Sequence, residues 1–193
     1  MPGQPSFSEG NIVAATAMFV EVLVVGIGTL AALFILIASS LGIQQIRHLS
    51  DILGSPLAVS LGLAFAYTLG ILVDRAMDIS LSPIRRHLRA IHFPSGRSYT
   101  EARISLARDP TLVARAEYAR SRMRVCRGWL FNAVVGTAAI DVLITQVAHT
   151  REVGFLILAT SLGLALITAC FATWWSITAT GYRKLAEQAM LLR

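Results

Sequence analysis

Lysine is almost missing from this chain: of 17 basic residues only Lys184 is a lysine, and the rest are arginine. Charge as a whole is scarce, at 15% of 193 residues. A globular domain carries roughly a quarter, so an ordinary soluble fold is excluded. Two cysteines are too few for a disulfide framework. Cys126 is expected on the basic side and Cys170 within an apolar run, so no disulfide is predicted. No basic residue precedes Arg47, which leaves out the positive region of a signal peptide, and the first apolar helix is expected to be retained. His48, His87, His92 and His149 lie in different segments without H-x-x-x-H spacing. There is no G-x-S-x-G elbow, no phosphate-cradling glycine loop and no dense aspartate cluster. With so little chain outside the apolar segments, these absences argue against an enzyme, and neither a metal nor a cofactor is expected. A secondary transporter is disfavoured too, because no inverted repeat is visible.

What remains is strongly apolar: 55% of residues are hydrophobic, and mean hydropathy is +0.64. Spanning a bilayer takes about 20 apolar residues per helix. Four segments meet that length, at 12–43, 56–73, 129–148 and 153–177. The predicted fold is an all-α membrane protein of four transmembrane helices, with an Arg-rich helical segment between the second and third. Its parts are an N-terminal tail at 1–11, helices one and two at 12–74, the basic segment at 75–128, helices three and four at 129–178, and a tail at 179–193. The first helix exceeds the bilayer core and should tilt or project beyond it.

Twelve arginines fall between Arg75 and Arg127 against Asp78, Glu101, Asp109 and Glu117, a local charge of +8. By the positive-inside rule this segment belongs in the cytoplasm. Helix four then descends toward Arg183, Lys184 and Arg193, which agrees. Helix one is discordant, because Arg47, the one basic residue flanking it, lies on the side this threading calls external. Both termini are therefore expected in the cytoplasm of a bacterial inner membrane, with short outer loops at 44–55 and 149–152. The arginine bias reflects genome composition or a preference for planar forks suited to phosphate.

Within the basic segment, Ser82 and Pro83 form a helix start. Ile84, Leu88 and Ile91 then face one way and Arg85, Arg86 and Arg89 the other, the pattern of an interfacial helix. After the turn at Pro94, Ser95 and Gly96, a second short helix is expected near Thr100. Asp109 and Pro110 supply an N-cap and first-turn proline for a third. No breaker separates it from transmembrane helix three, so one rod is predicted over 110–148. Leu112, Ala116, Ala119, Met123, Cys126 and Leu130 form a heptad seam on it. That seam packs on the short helices, or else bundles stalks around an oligomer axis. Arg115, Arg120, Arg122, Arg124 and Arg127 decorate the other faces, opposed only by Glu117. They call for lipid phosphate, an acidic partner or an anionic ligand.

Small residues recur every four positions at Ala58, Gly62, Ala66 and Gly70 on helix two and at Ser161, Ala165, Ala169 and Thr173 on helix four; Gly28 and Ala32 are a shorter version on helix one. Such ridges bring helices close in lipid, within one subunit or between subunits. Trp174, Trp175 and Tyr182 read as an aromatic belt at the inner interface. Polar groups inside a membrane are costly and mark function or interhelical contacts. Glu21, Asn132, Asp141 and Thr145 are the candidates. Glu21 and Asp141, at depths of roughly 13 and 18 Å from the inner face, could meet at one level. Asp74 and Asp78 are expected to pair with Arg75 or Arg85.

A small four-helix membrane protein with a basic cytosolic face and no enzymatic module resembles, in layout, the membrane effectors of bacterial antiviral systems; the resemblance carries no residue across. The function expected is an oligomeric ion channel or pore-forming effector, controlled at its arginine surface by an oligonucleotide, a nucleotide or lipid phosphate. Two alternatives stand beside it. One is a membrane scaffold or assembly subunit recruiting a cytosolic partner; the other is a proton-coupled or lipid-handling protein using Glu21 and Asp141.

Overall fold

The structure, a computed structural model, describes residues 9–41, 54–147 and 153–191, and the side chains of 15–40, 54–146 and 153–191. The outer loops expected at 44–55 and 149–152 fall almost wholly outside the described residues. So do Arg47, Arg193 and most of the tail at 1–11. Among the described residues there are six helices and no strand: α1 (Glu9–Leu41), α2 (Pro56–Ser80), α3 (Ser82–His92), α4 (Gly96–Leu106), α5 (Pro110–Val147) and α6 (Val153–Leu191). Four of them, α1, α2, α5 and α6, are long and apolar enough to cross a membrane. The fold is all-α and of membrane type.

Local chemistry sets the boundaries. At the start of α2 the Ser55 hydroxyl accepts from the Ala58 amide at 3.2 Å, ahead of Pro56 in the first turn. Only Leu81 separates α2 from α3, so the chain bends there without a loop. Ser95 caps α4 through a reciprocal box with Ser98, which starts that helix four residues before Thr100. Asp109 accepts from the Thr111 amide at 2.8 Å and opens α5 ahead of Pro110. The predicted rod is continuous through Gly128. Helix α6 departs from expectation: it runs 39 residues to Leu191, where a tail was expected from 179. At 1.5 Å per residue both α5 and α6 reach nearly 60 Å. The basic end is therefore built on two antiparallel shafts rather than one stalk.

Helix α1 packs between α2 and α5, and α5 packs between α1 and α6. Glycines make these approaches close. A methyl on Gly26 would overlap the Ala66 carbonyl, one on Gly70 the Val22 carbonyl, one on Gly128 the Val25 side chain, and one on Gly163 the Thr137 side chain. At the basic end α3 and α4 lie against the lower part of α6. Leu81, Leu130 and Trp174 form a buried cluster there, joined by Met123, Cys126, Cys170 and Phe171. Two expectations change with it. Trp174 is 2% exposed and belongs to the core, leaving Trp175 on the outer surface. The upper half of the heptad seam, Met123, Cys126 and Leu130, packs within the chain on α6 and on Leu81 and Ile84 at the start of α3. Cys126 and Cys170, expected in different surroundings, join this one cluster as free thiols.

Candidate functional site, a basic cleft

Below the apolar zone, the lower halves of α5 and α6 together with α4, α3 and the end of α2 line a broad open cleft. Ten basic side chains line it and only two acids, Asp74 and Asp78. Both acids are already engaged. Arg127 Nη2 donates to Asp74 at 2.7 Å, Arg127 Nη1 to Asp78, and Arg85 Nη1 to Asp78 at 2.5 Å. The Arg127 side chain is 11% exposed, against 40% for Arg85. This clasp ties α5 to α2 and α3 at the edge of the apolar zone. It removes Arg127 from the residues available to a ligand and answers the expectation for Asp74 and Asp78 with Arg127 and Arg85, not Arg75.

The other cleft cations are differently placed. Arg75, Arg89, Arg103, Arg115, Arg122, Arg124 and Lys184 make no ion pair among the described residues. Arg120 meets Glu117 at 3.3 Å, both well exposed, a contact of little energetic weight. Aromatic rings interleave with these cations. Tyr99 stands at a hub, edge-on to Phe93 and Tyr182 at 5.3 and 6.0 Å, with Arg89 and Arg103 at 5.3 and 5.9 Å from its ring. Arg122 lies 4.7 Å from the Tyr118 ring. The sequence reading missed Arg75, Arg103, Lys184 and the three tyrosines as members of one surface. It also assigned Arg85 and Arg89 to the membrane interface. No spacing marks them, because Arg75, Arg103 and Lys184 come from α2, α4 and α6 and share a surface only once those helices pack.

The intramembrane candidates separate. Glu21 Oε1 accepts from Ser121 on α5, and its Oε2 is buried with no hydrogen-bond partner. Together with Asp74 and Arg124 it lines a small cavity, room for about one water. Glu21 thus stands level with the clasp, not about 13 Å inside the apolar zone. Ser121 and Asp141 are 20 residues apart on α5, about 30 Å, so Glu21 and Asp141 do not meet. Asp141 instead accepts from Thr160 of α6 at 3.0 Å. Asn132 is buried, donates to the Val25 carbonyl at 2.9 Å and accepts from Thr29 at 2.7 Å. Thr145 is exposed and bonds its own helix at the Val142 carbonyl, 2.8 Å away.

The two small-residue ridges also part company. On α2, Ala66 and Gly70 are buried against α1, Ala58 is half-buried, and a methyl on Gly62 would meet nothing within 4 Å. On α6, Ser161, Ala165, Ala169 and Thr173 are all exposed. Gly28 and Ala32 face inward, Gly28 against Asn132. Gly26 and Gly163, at the tightest helix contacts, were not singled out by spacing. No family model, no curated protein and no solved structure matches the chain.

Proposed function

We propose that this is a non-enzymatic protein of the bacterial inner membrane, with both termini and the basic cleft in the cytoplasm, that binds a polyanion in the cleft. In the fuller form of this reading it is an oligomeric channel or pore-forming effector under the control of that ligand, in a role such as antiviral defence. The observation that carries the binding reading is the imbalance in the cleft. Ten cations face two carboxylates, and both carboxylates are held by Arg127 and Arg85. Mutual repulsion among the remaining guanidinium groups is relieved when phosphates enter between them, and arginine offers phosphate a bidentate fork. The exposed ridge on α6 supports the oligomer.

The test of binding is fluorescence polarisation with a labelled oligothymidylate and the protein in zwitterionic nanodiscs, at several salt concentrations. Log affinity should fall linearly with log salt. Arg115→Ala and Arg103→Ala should each flatten the slope by about 0.7, the counterion release of one single-strand phosphate. Flat salt dependence, or no binding at low salt, returns the arginines to topology alone.

One set of observations favours a second reading, a scaffold that holds an acidic cytosolic partner at the membrane. Glu21, Asn132 and Asp141 each hydrogen-bond to a neighbouring helix of the same chain, at separate levels, with Glu21 Oε2 left unpaired, so their contacts are those of interhelical packing within one subunit. Ion flux from liposomes, with and without oligonucleotide, separates the two. Flux supports the channel; binding without flux under any ligand or voltage supports the scaffold.

A further inference from the structure

The basic cleft contains one aromatic ring that its own packing does not use up. Tyr99 is enclosed by Phe93, Tyr182, Arg89 and Arg103 and serves as the hub that holds α4 on α6. Tyr118 is different: it is 60% exposed, and its ring contact is with the Arg122 guanidinium, 4.7 Å from the centroid. Arg115, Tyr118 and Arg122 follow one another at steps of three and four along α5, so they share a stripe of the helix, and all three line the cleft. A planar ring with a cation above and below it along the helix is the arrangement that receives a base between two phosphates.

Position argues against a lipid role for this ring. Tyr118 lies nine residues before Arg127, about 13 Å along the helix from the clasp that marks the edge of the apolar zone. Headgroup attraction fades within about 8 to 10 Å at physiological salt. Nor does the cleft have the dimensions of a single phosphate site. From Arg115 through Arg122 to Arg124, the cations extend over about 13 Å of α5, with Arg103 across from them on α4. A run of that kind tracks a backbone of several phosphates.

Resting on the polyanion reading above, we infer that the ligand is single-stranded nucleic acid and that Tyr118 stacks one of its bases against the Arg122 guanidinium. The cleft then separates a base-bearing strand from bare phosphate chains and lipid headgroups. Stacking is sequence-tolerant, so the preference is for the presence of a base rather than for its identity.

The experiment compares a labelled oligothymidylate with an abasic strand of the same length, in zwitterionic nanodiscs at fixed salt. Wild type should bind the base-bearing strand roughly tenfold more tightly, the value of one stacked base. Tyr118→Ala should remove that advantage while leaving abasic binding unchanged, and Tyr118→Phe, which keeps the ring, should retain it to within about twofold. The wild-type comparison needs no variant, so it stands even if a substitution disturbs folding. Equal binding of the two strands by wild type, or equal loss of both in Tyr118→Ala, overturns the stacking inference while the polyanion reading survives. If an anionic lipid in the nanodisc abolishes binding of both strands equally, the cleft is a headgroup site and the inference falls. Binding of neither strand at low salt sinks the polyanion reading itself.

Discussion

Arg127 and Arg115 share a helix, about 18 Å apart, and differ in everything around them. Arg115 is exposed in the cleft; Arg127 is 11% exposed and held by Asp74 and Asp78. Its Nε is buried without a hydrogen-bond partner, so the polar contacts of Arg127 are its two ion pairs. Removing one partner from such a buried set strands the others, at a cost of about 3 kcal/mol or more. Arg127→Ala should therefore lower the thermal midpoint in detergent clearly, and adding Asp74→Asn with Asp78→Asn should recover part of the loss. Arg115→Ala should leave the midpoint unchanged. An Arg127→Ala midpoint equal to wild type would mean the clasp carries no stability. The pairing of Asp78 with Arg85 was legible, because the two flank one Ser-Pro junction. Arg127 was not, since its use depends on α5 being laid against α2, which no spacing in the sequence specifies. Its sequence neighbourhood is the same arginine run as Arg124. Asn132 is a parallel case: a polar residue in an apolar run was readable as costly, but its partners, Thr29 and the Val25 carbonyl, come from a helix about a hundred residues earlier.

At the scale of helices, propensity and caps were easier to read than faces. Asp109 and Pro110 announced α5, and the structure has that start. The Asp109 carboxyl is held below its usual value, first by the Thr111 hydroxyl and amide and then by the Leu112 amide. A depressed folded value means the cap stabilises above the unfolded value of about 3.9 and is lost as pH falls through the folded one. The Thr111 and Leu112 amide resonances should then titrate with a midpoint below about 3.9 in wild type and stay flat in Asp109→Asn. A midpoint at or above the ordinary value contradicts the cap. Faces were harder, because a four-residue repeat marks a ridge without saying what lies against it. Gly70 touches α1 backbone while Gly62, two turns earlier on the same ridge, meets nothing. Gly26→Leu or Gly70→Leu should push α1 off α2 and abolish a sharp unfolding transition, whereas Gly62→Leu should unfold as wild type does. Equal effects at Gly62 and Gly70 would show that the ridge acts as a unit.

For the whole molecule, the arrangement α2, α1, α5, α6 leaves α6 at one side, supported in the apolar zone by α5. No residue of its most apolar window is buried. Leu162, Leu164 and Leu166 on that stretch suit lipid, but Ser161, Ala165, Ala169 and Thr173 form a groove of small side chains that lipid tails fill poorly. Helices associate in a bilayer through such grooves, by close van der Waals packing rather than by any aversion to the surrounding medium. The sequence identified the ridge; that it points away from its own subunit depends on Gly163 and Thr160, which turn the opposite face of α6 onto Thr137 and Asp141. Under the oligomeric reading proposed above, a second copy occupies this groove. Ala169→Cys should form an intermolecular disulfide under mild oxidation in membranes, against a background in which Cys126 and Cys170 are replaced by serine. Ala165→Leu should shift native mass spectra toward monomer without moving the unfolding midpoint, because the added side chain meets no neighbour in the subunit. A protein that stays monomeric in lipid nanodiscs, with no cross-link at Ala169, removes the oligomer and the channel with it. The basic cleft would stand untouched by that result, since Tyr118, Arg115, Arg103 and Lys184 belong to one chain.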